Sequence, residues 1–506
     1  MKTVARGQGA KGVRAAPGAS RALLWSFSNT AVSRLGTLGI GIVLARVLGP
    51  EEFGTYAVAF VALMAILSFN ELGVSLAIVR WPGDPREIAP TVTTISIVSS
   101  ATLCVAGYLV APWFADMMRD PEATEVVRLL VLSVLVNGMV ATPAALLQRE
   151  YRQGTRMIID QTNVWVGAVL SVTLALLGWG AMSLAVGRIA GAVISAVLFF
   201  VYSPLPFRVG FNRRHARALF SFGLPLAGAS LIVFFVGYAD QLVTGRLLGA
   251  TMLGFYVLAF NLASWPVSMF SQPMRSVAPT TFSRLQHNHC QMNRAFRSIL
   301  RVLAAAALPV CFFLAGAADP VIRFVYGDEW APAALALTWL ALLAAFRIVF
   351  ELAYDFLVVL GKTGSLLGIQ LWWLAALVPA LIIGAIWTGL AGIGIAQVVV
   401  AAVVVLPLYL WRLKKSGILI RQMAAPVGLP VAAGLVVLGA GLVAGALIDN
   451  PFLAALPSGV LTLAVIGGLL HRERDTLRSL RGLDTAPVDR APDNTMPERA
   501  DGGGTL

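Results

Sequence analysis

The sequence predicts an all-α integral membrane protein. About fourteen transmembrane helices form two pseudo-symmetric six-helix lobes, in parallel orientation, around a central cavity. Three observations predict this. Of 506 residues, 58% are hydrophobic and only 12% are charged, about half the charged fraction of a soluble domain. The apolar residues fall into runs near the roughly 20 residues that a helix needs to cross the hydrocarbon. And the stretch "ARVLGPEEFGTYAVAF" from Ala45 returns as "GRLLGATMLGFYVLAF" from Gly245, with seven of sixteen residues identical and no gap.

The elements follow in chain order. Residues 1–21 are basic and polar, without the apolar core of a signal peptide, and form a cytoplasmic tail. Spans at 22–45, 56–79, 88–111, 126–147, 157–178 and 182–203 make the first lobe, residues 22–203. A basic loop at 204–217 leads to the second lobe, residues 218–412, with spans at 220–245, 253–274, 299–317, 332–358, 366–387 and 390–411. Two further spans, 425–447 and 452–470, lie within 413–471. Residues 472–506 form a second cytoplasmic tail, mostly disordered, which past Asp484 is rich in Pro, Asp and Gly. The Gly and Pro inside spans are tolerated where neighbouring helices satisfy the backbone.

Lysine and arginine orient the chain. With both termini inside, the inner segments carry about 30 of the 38 basic residues and the outer segments about five, a strong positive-inside bias. The net charge of +13 therefore belongs to cytoplasmic loops rather than to a nucleic-acid surface. Three scattered cysteines exclude a disulfide framework. "HNHC" at 287–290, with no second ligand cluster, does not make a metal site.

The repeat explains the lobes. Its copies stand at the outer end of spans 1 and 2 and of spans 7 and 8. Six spans separate them, an even number, so both copies point the same way across the membrane, an architecture of secondary transporters. Gly49 and Gly249 are placed to take positive φ at the helix C-termini, and Pro50 prevents span 1 from continuing.

A charge at bilayer depth normally faces a cavity or a partner. Arg34 lies about twelve residues, or roughly 18 Å, into span 1. Thr30, Ser33 and Thr37 share its face, a polar stripe suited to an anionic group. In span 10, Arg347, Glu351, Tyr354 and Asp355 share another face, which either lines the cavity or forms a self-neutralising pair. Asp240 in span 7 aligns with Ile40 in the repeat register, so its acid belongs to one lobe only and is a candidate for proton or sodium coupling, or a pin for a neighbouring helix. Glu71 in "NELGV" is similar, nearer the inner face. Arg188 lies within reach of the outer surface, where its side chain can snorkel. Arg149, Arg152 and Arg156 cluster on one inner loop, as topology determinants or as phosphate contacts at the inner mouth.

The segments "ARVLGPEEFGTYAVA", "NELGVSLAIVR", "LLQREYRQG", "YADQLVTGRLLGATMLGFYVLA" and "VIRFVYGDEWAPAALALTWLA" together resemble the Wzx-type flippases. These are the polysaccharide-transport branch of the multidrug/oligosaccharidyl-lipid/polysaccharide exporter superfamily. The resemblance covers about residues 20–415. It implies a transporter in the bacterial inner membrane, not an enzyme. Its substrate would be an undecaprenyl-pyrophosphate-linked oligosaccharide, moved from the inner to the outer leaflet by alternating access for exopolysaccharide, capsule or O-antigen assembly. It implies a cationic cavity, with Arg34 and Arg347 contacting pyrophosphate or an acidic sugar. It implies no cofactor beyond proton or sodium coupling, and membrane lipids, a polymerase and glycosyltransferases as partners. The alternatives are a multidrug/cation antiporter of the same superfamily, whose cavity should carry net acid, and a membrane-embedded polymerase or ligase, which needs a sizeable outer loop that this chain lacks.

Overall fold

The computed structural model describes residues 19–70, 77–79, 81, 83–271, 282–283, 289–418 and 420–474. Its helices are α1 (Ala19–Asn70), α2 (Pro85–Met117), α3 (Ala123–Arg149), α4 (Gln153–Leu176), α5 (Ala181–Val201), α6 (Arg213–Leu248) and α7 (Ala250–Pro266). Then come α8 (His289–Gly316), α9 (Ala318–Tyr326), α10 (Ala333–Val359), α11 (Thr363–Thr388), α12 (Leu390–Val400), α13 (Leu406–Lys415), α14 (Ile420–Leu447) and α15 (Pro451–Arg472). A π-helical turn, Ala401–Val405, joins α12 and α13 into one span. Among the described residues, 13 helical stretches are long and apolar enough to cross a bilayer. The first, Leu38–Phe69, runs through a corner at Gly49, where φ is 71° and ψ 175°. A single non-helical residue thus joins the expected spans 1 and 2.

The bundle turns its apolar residues outward as well as inward. Leu109, Val169, Ile386 and Leu463 are each more than 60% exposed, a surface suited to hydrocarbon rather than water. Between helices, polar groups are satisfied locally. Thr93 donates to the Ala89 carbonyl at 2.9 Å, and its hydroxyl shares a hydrogen bond with that of Thr142 on α3, also at 2.9 Å. The largest core lies among the helices after Arg213, where Phe282, Phe296 and Phe356 pack with ring centroids 4.9–6.3 Å apart. The last two helices lean on α8. Phe312 and Leu308 pack against Val427, Val431 and Leu438 of α14, and Arg301 pairs with Glu473 at 3.6 Å.

Two sets of helices, those up to Val201 and those from Arg213 to Lys415, meet at the end where α1 turns at Gly49 and α6 passes into α7 at Gly249. Gly249 has φ 92° and ψ 175°, matching Gly49 and lying in a region open essentially to glycine alone. The second pair of repeat glycines touches directly. A Cβ on Gly54 would overlap the Ala250 carbonyl oxygen, and one on Gly254 would stand 2.8 Å from the Pro50 carbonyl oxygen and 3.0 Å from the Gly54 Cα. Positions 50 and 250 correspond in the repeat, as do 54 and 254, so the contact is reciprocal.

Candidate functional site

At this end the two sets are locked by a crossed pair of arginines. Arg46 donates from Nε to the Val325 carbonyl at 2.8 Å and from Nη2 to the Phe324 carbonyl at 2.6 Å. Arg246, its counterpart 200 residues on, donates to the Met117 carbonyl at 2.9 Å. Met117 and Val325 occupy equivalent places. Each is two residues before a positive-φ position, Arg119 at 59° and Gly327 at 103°, and an aspartate follows in each case. Arg119 adds a bond to the Leu247 carbonyl at 3.2 Å. On the other side Arg323 fixes the α9 terminus by binding Asp319 at 3.0 Å and Asp328 at 2.8 Å. Phe53 and Phe255 meet the same buried Trp330 edge-on, at 5.5 and 5.7 Å. Guanidinium groups on helix-terminal carbonyls make the stronger kind of neutral–ion hydrogen bond.

Directly beneath this closure lies a cavity of about 380 Å³ between the two sets. Tyr56 and Phe60 from α1 face Tyr238, Gln241, Phe260 and Asn261 from α6 and α7 across it. Arg188 reaches this region from α5. Its guanidinium sits 5.3 Å from the Phe60 ring centroid and lies within electrostatic reach of the Tyr56 and Tyr238 hydroxyls. It therefore points inward rather than snorkelling.

A larger cavity of about 570 Å³ adjoins the first at Gly237, which lines both. Arg347, Glu351 and Tyr354 line it together with Gln370, Trp373 and Tyr409. Arg347 lies 5.4 Å from the Phe260 centroid and donates to Ser264 Oγ at 3.3 Å. Thus two arginines, from non-equivalent helices, stack on the equivalent phenylalanines 60 and 260. Asp355 is buried close to Tyr409 rather than on the cavity wall.

Asp240 is 5% exposed and fully engaged. Its Oδ2 accepts from the Tyr256 hydroxyl at 2.5 Å and from Gln397 Nε2 at 3.1 Å, and its Oδ1 accepts from the Gln241 amide at 2.8 Å. Arg347 lies within electrostatic reach. One carboxylate so ties α6, α7 and α12 together. Gln397 stands eight residues after Gly389 (φ 63°, ψ −130°), as Arg188 stands eight after Gly180 (φ 53°, ψ −141°). Each reaches the repeat tyrosine of its own set, Arg188 to Tyr56 and Gln397 to Tyr256. Sequence reasoning missed this pair because only the glycines agree, at an offset of 209 rather than 200.

The structure thus brings Arg347, Glu351 and Asp240 into one region and adds Arg188 to it. Of the inner-loop arginines, Arg149 staples the preceding connection, donating to the carbonyls of Ile78 (2.6 Å), Trp81 (2.7 Å) and Gly83 (2.9 Å). Arg152 reaches the Tyr202 carbonyl at 3.3 Å, and Arg156 binds Gln148 at 2.8 Å and faces Asp160 at 3.8 Å. Glu71 and the side chains of Thr30, Ser33, Arg34 and Thr37 lie outside the described residues. Among the described residues no cluster of His, Cys, Asp or Glu is arranged to hold a metal ion.

Residues 43–335 match the family described as polysaccharide biosynthesis protein. The succinoglycan biosynthesis transport protein ExoT of Rhizobium meliloti (strain 1021) is 26% identical over 363 residues, 70% of this chain and 72% of the relative. The lipopolysaccharide biosynthesis protein WzxC of Escherichia coli (strain K12) is 22% identical over 370 residues, 72% of this chain and 75% of the relative. The fold is that of a lipid II flippase, MurJ, in an inward closed conformation, with a TM-score of 0.71 and 14% identity. That match covers 89% of this chain and 99% of that one.

Proposed function

The chain belongs to the polysaccharide biosynthesis protein family, and we propose that it is a flippase carrying a polyprenyl-pyrophosphate-linked oligosaccharide from the inner to the outer leaflet of the bacterial cell membrane. The observation that carries this reading is the crossed arginine closure over a polar, arginine-bordered cleft between two sets of membrane helices. Such a cleft, sealed at one end by contacts that can break together, is what alternating access requires. No bond is made or broken in the substrate. The headgroup exchanges hydration for guanidinium groups and aromatic walls, while the polyprenyl chain stays in lipid. The relatives named for succinoglycan transport and lipopolysaccharide biosynthesis, and the lipid II flippase fold, support a lipid-linked saccharide as cargo.

In this reading the two six-helix sets are lobes related by rotation about the membrane normal, both termini are cytoplasmic, and the Gly49 end faces outward. Arg34 and Arg347 take the pyrophosphate. Asp240 answers to a proton or sodium ion, whose arrival would loosen the hold of Tyr256 and Gln397. Glycosyltransferases supply the substrate and a polymerase consumes the product. The test is a chromosomal deletion complemented in trans. Wild-type protein should restore surface polysaccharide, and its absence should leave the lipid-linked unit at the inner leaflet. Unpolymerised units at the outer leaflet would instead indicate a polymerase, and a change in drug susceptibility without loss of polymer a drug antiporter.

A further inference from the structure

We infer that a cavity between α2, α3 and the linker joining the two helix sets binds the phosphate of an anionic phospholipid headgroup. The cavity lies at the membrane face opposite the Gly49 closure, because α2 has Met117 at the closure and Pro85 at its other end. The orientation of the flippase reading makes that face the cytoplasmic leaflet; the binding itself does not depend on that reading.

The cavity has a volume of about 260 Å³. Arg86 of α2 and Arg208 of the linker both line it, and none of its lining residues is acidic. None of the ion pairs among the described residues includes either arginine. Two like charges brought to one cavity repel each other, and an anion between them relieves that repulsion while accepting from both guanidinium groups. The linker is held in place to do this. Thr94 Oγ1 accepts from the Gly210 amide at 3.0 Å, and Thr91 Oγ1 accepts from the Asn212 amide at 3.2 Å. Both bonds pin it against α2. Pro204 and Pro206 line the cavity and stiffen the linker upstream of these anchors. The other end of the cavity is polar as well, where Thr93 and Thr142 share their hydrogen bond. Thr93 follows Arg86 by seven residues, so the cavity runs about 10 Å along α2.

The surroundings say which phosphate fits. Every lining residue comes from α2, α3 or the linker, so the cavity stands apart from the cleft between the two helix sets. Around it Val201, Phe207, Val209 and Phe211 are each more than 40% exposed. Phe207 also meets Phe200 of α5 edge-on, with centroids 5.3 Å apart. Outward apolar groups beside arginines mark the boundary between hydrocarbon and headgroups. A phospholipid uses both features, with its phosphate at Arg86 and Arg208 and its acyl chains along the apolar groups. Inorganic phosphate uses the arginines alone. A zwitterionic lipid carries a cationic group toward two positive charges and no acid. Basic pockets between helices on the cytoplasmic side suit anionic headgroups for these reasons. Arg86 belongs to the first helix set and Arg208 to the connection between the sets. A headgroup that bridges them therefore ties the start of the linker to the first set while the second set moves.

The test uses the full chain in phosphatidylcholine nanodiscs, with a bimane fluorophore at Val209→Cys in a Cys290→Ser background. The other two cysteines are buried. Phosphatidylglycerol or phosphatidylcholine brominated on its acyl chains is added, and quenching reports lipid held beside the cavity. Phosphatidylglycerol should quench at mole fractions at least tenfold below those phosphatidylcholine needs. Arg86→Gln and Arg208→Gln should each weaken that preference about fivefold, and the two together should abolish it. Arg214→Gln, a nearby exposed arginine that does not line the cavity, should change nothing. Arg86→Lys with Arg208→Lys should keep most of the preference, since an ammonium also binds phosphate. Excess inorganic phosphate or pyrophosphate should not relieve the quenching. The site is overturned if the double glutamine variant prefers phosphatidylglycerol as strongly as the parent, or if Arg214→Gln weakens it equally. Equal quenching by the two lipids would overturn the anionic preference. Relief by inorganic phosphate or pyrophosphate would make the ligand a free anion and overturn the lipid. Each of these results leaves the flippase reading standing, because that reading fails only if deletion spares surface polysaccharide in cells.

Discussion

Removing the crossed arginines should open the Gly49 end without unfolding the protein. The double variant Arg46→Ala, Arg246→Ala deletes three hydrogen bonds of 2.8, 2.6 and 2.9 Å between the two helix sets. Both side chains are exposed, so each bond is taken near the middle of the ordinary net range, about 1 kcal/mol or slightly less, rather than at the higher value for buried ions. The sum is about 2–3 kcal/mol. If the bonds exist only in the closed state, the ratio of closed to open falls by roughly 30- to 150-fold. Asn261 lines the cavity beneath the closure and provides the readout. In an Asn261→Cys, Cys290→Ser background, an impermeant maleimide added to intact cells reacts at a rate proportional to the open fraction. The rate should rise by about that factor until opening is no longer rare. Arg128→Ala is the control, since Arg128 pairs within its own helix with Glu125 at 2.7 Å. An unchanged rate in the double variant, or an equal rise in the control, would refute the idea that these arginines hold the end shut.

Gly54→Leu should block closure at the same end, because even a Cβ there overlaps the Ala250 carbonyl. Export should fall at least tenfold at equal protein level, with the maleimide rate at position 261 raised. Gly249→Ala should lower stability by about 1–3 kcal/mol, since φ 92° with ψ 175° is open essentially to glycine alone, and a denaturation midpoint measures it. Arg149→Ala leaves three carbonyls without their donor. It should lower the thermal midpoint yet support normal export where enough protein accumulates, whereas a phosphate contact at the inner mouth would show the reverse.

The spans were legible because bilayer thickness sets a length that composition alone reveals. The repeat was legible at 45–60 and 245–260 because the closure uses the same residue types twice: Arg46 and Arg246 as clasps, Gly49 and Gly249 as corners, Gly54 and Gly254 as the point of approach. Equivalences carried by backbone shape left no such trace. Arg119 and Gly327 share a positive φ but no chemistry, and Arg188 and Gln397 share a position but not a charge. Depth within a span is readable by counting residues. Direction is not, which is why the sequence left Arg188 free to snorkel and left Arg149 either a topology determinant or a phosphate contact. Asp240 was legible as an oddity, since Ile40 stands opposite it. Its partners Tyr256 and Gln397 lie 16 and 157 residues away, beyond any local pattern.

The closure is alike on both sides, but the interior is not. A shell that opens and closes benefits from contacts that form and break together, and reciprocal arginines achieve that. The cargo has unlike ends, and the interior differs to suit. One set carries Ile40 and Arg188, the other Asp240 and Gln397, at corresponding positions. Exchanging one pair, as Arg188→Gln with Gln397→Arg, separates shell from interior. The new guanidinium would meet Asp240 and neutralise it, while the cleft beside Tyr56 would lose its charge. The fold should survive, because a buried Arg–Asp pair with its hydrogen bonds met is tolerated. The closure should survive too, since none of its groups is touched, and the maleimide rate at position 261 should stay at its closed value. Export should nonetheless be lost. Retained export would mean that the placement of these charges, rather than their presence, is immaterial to transport.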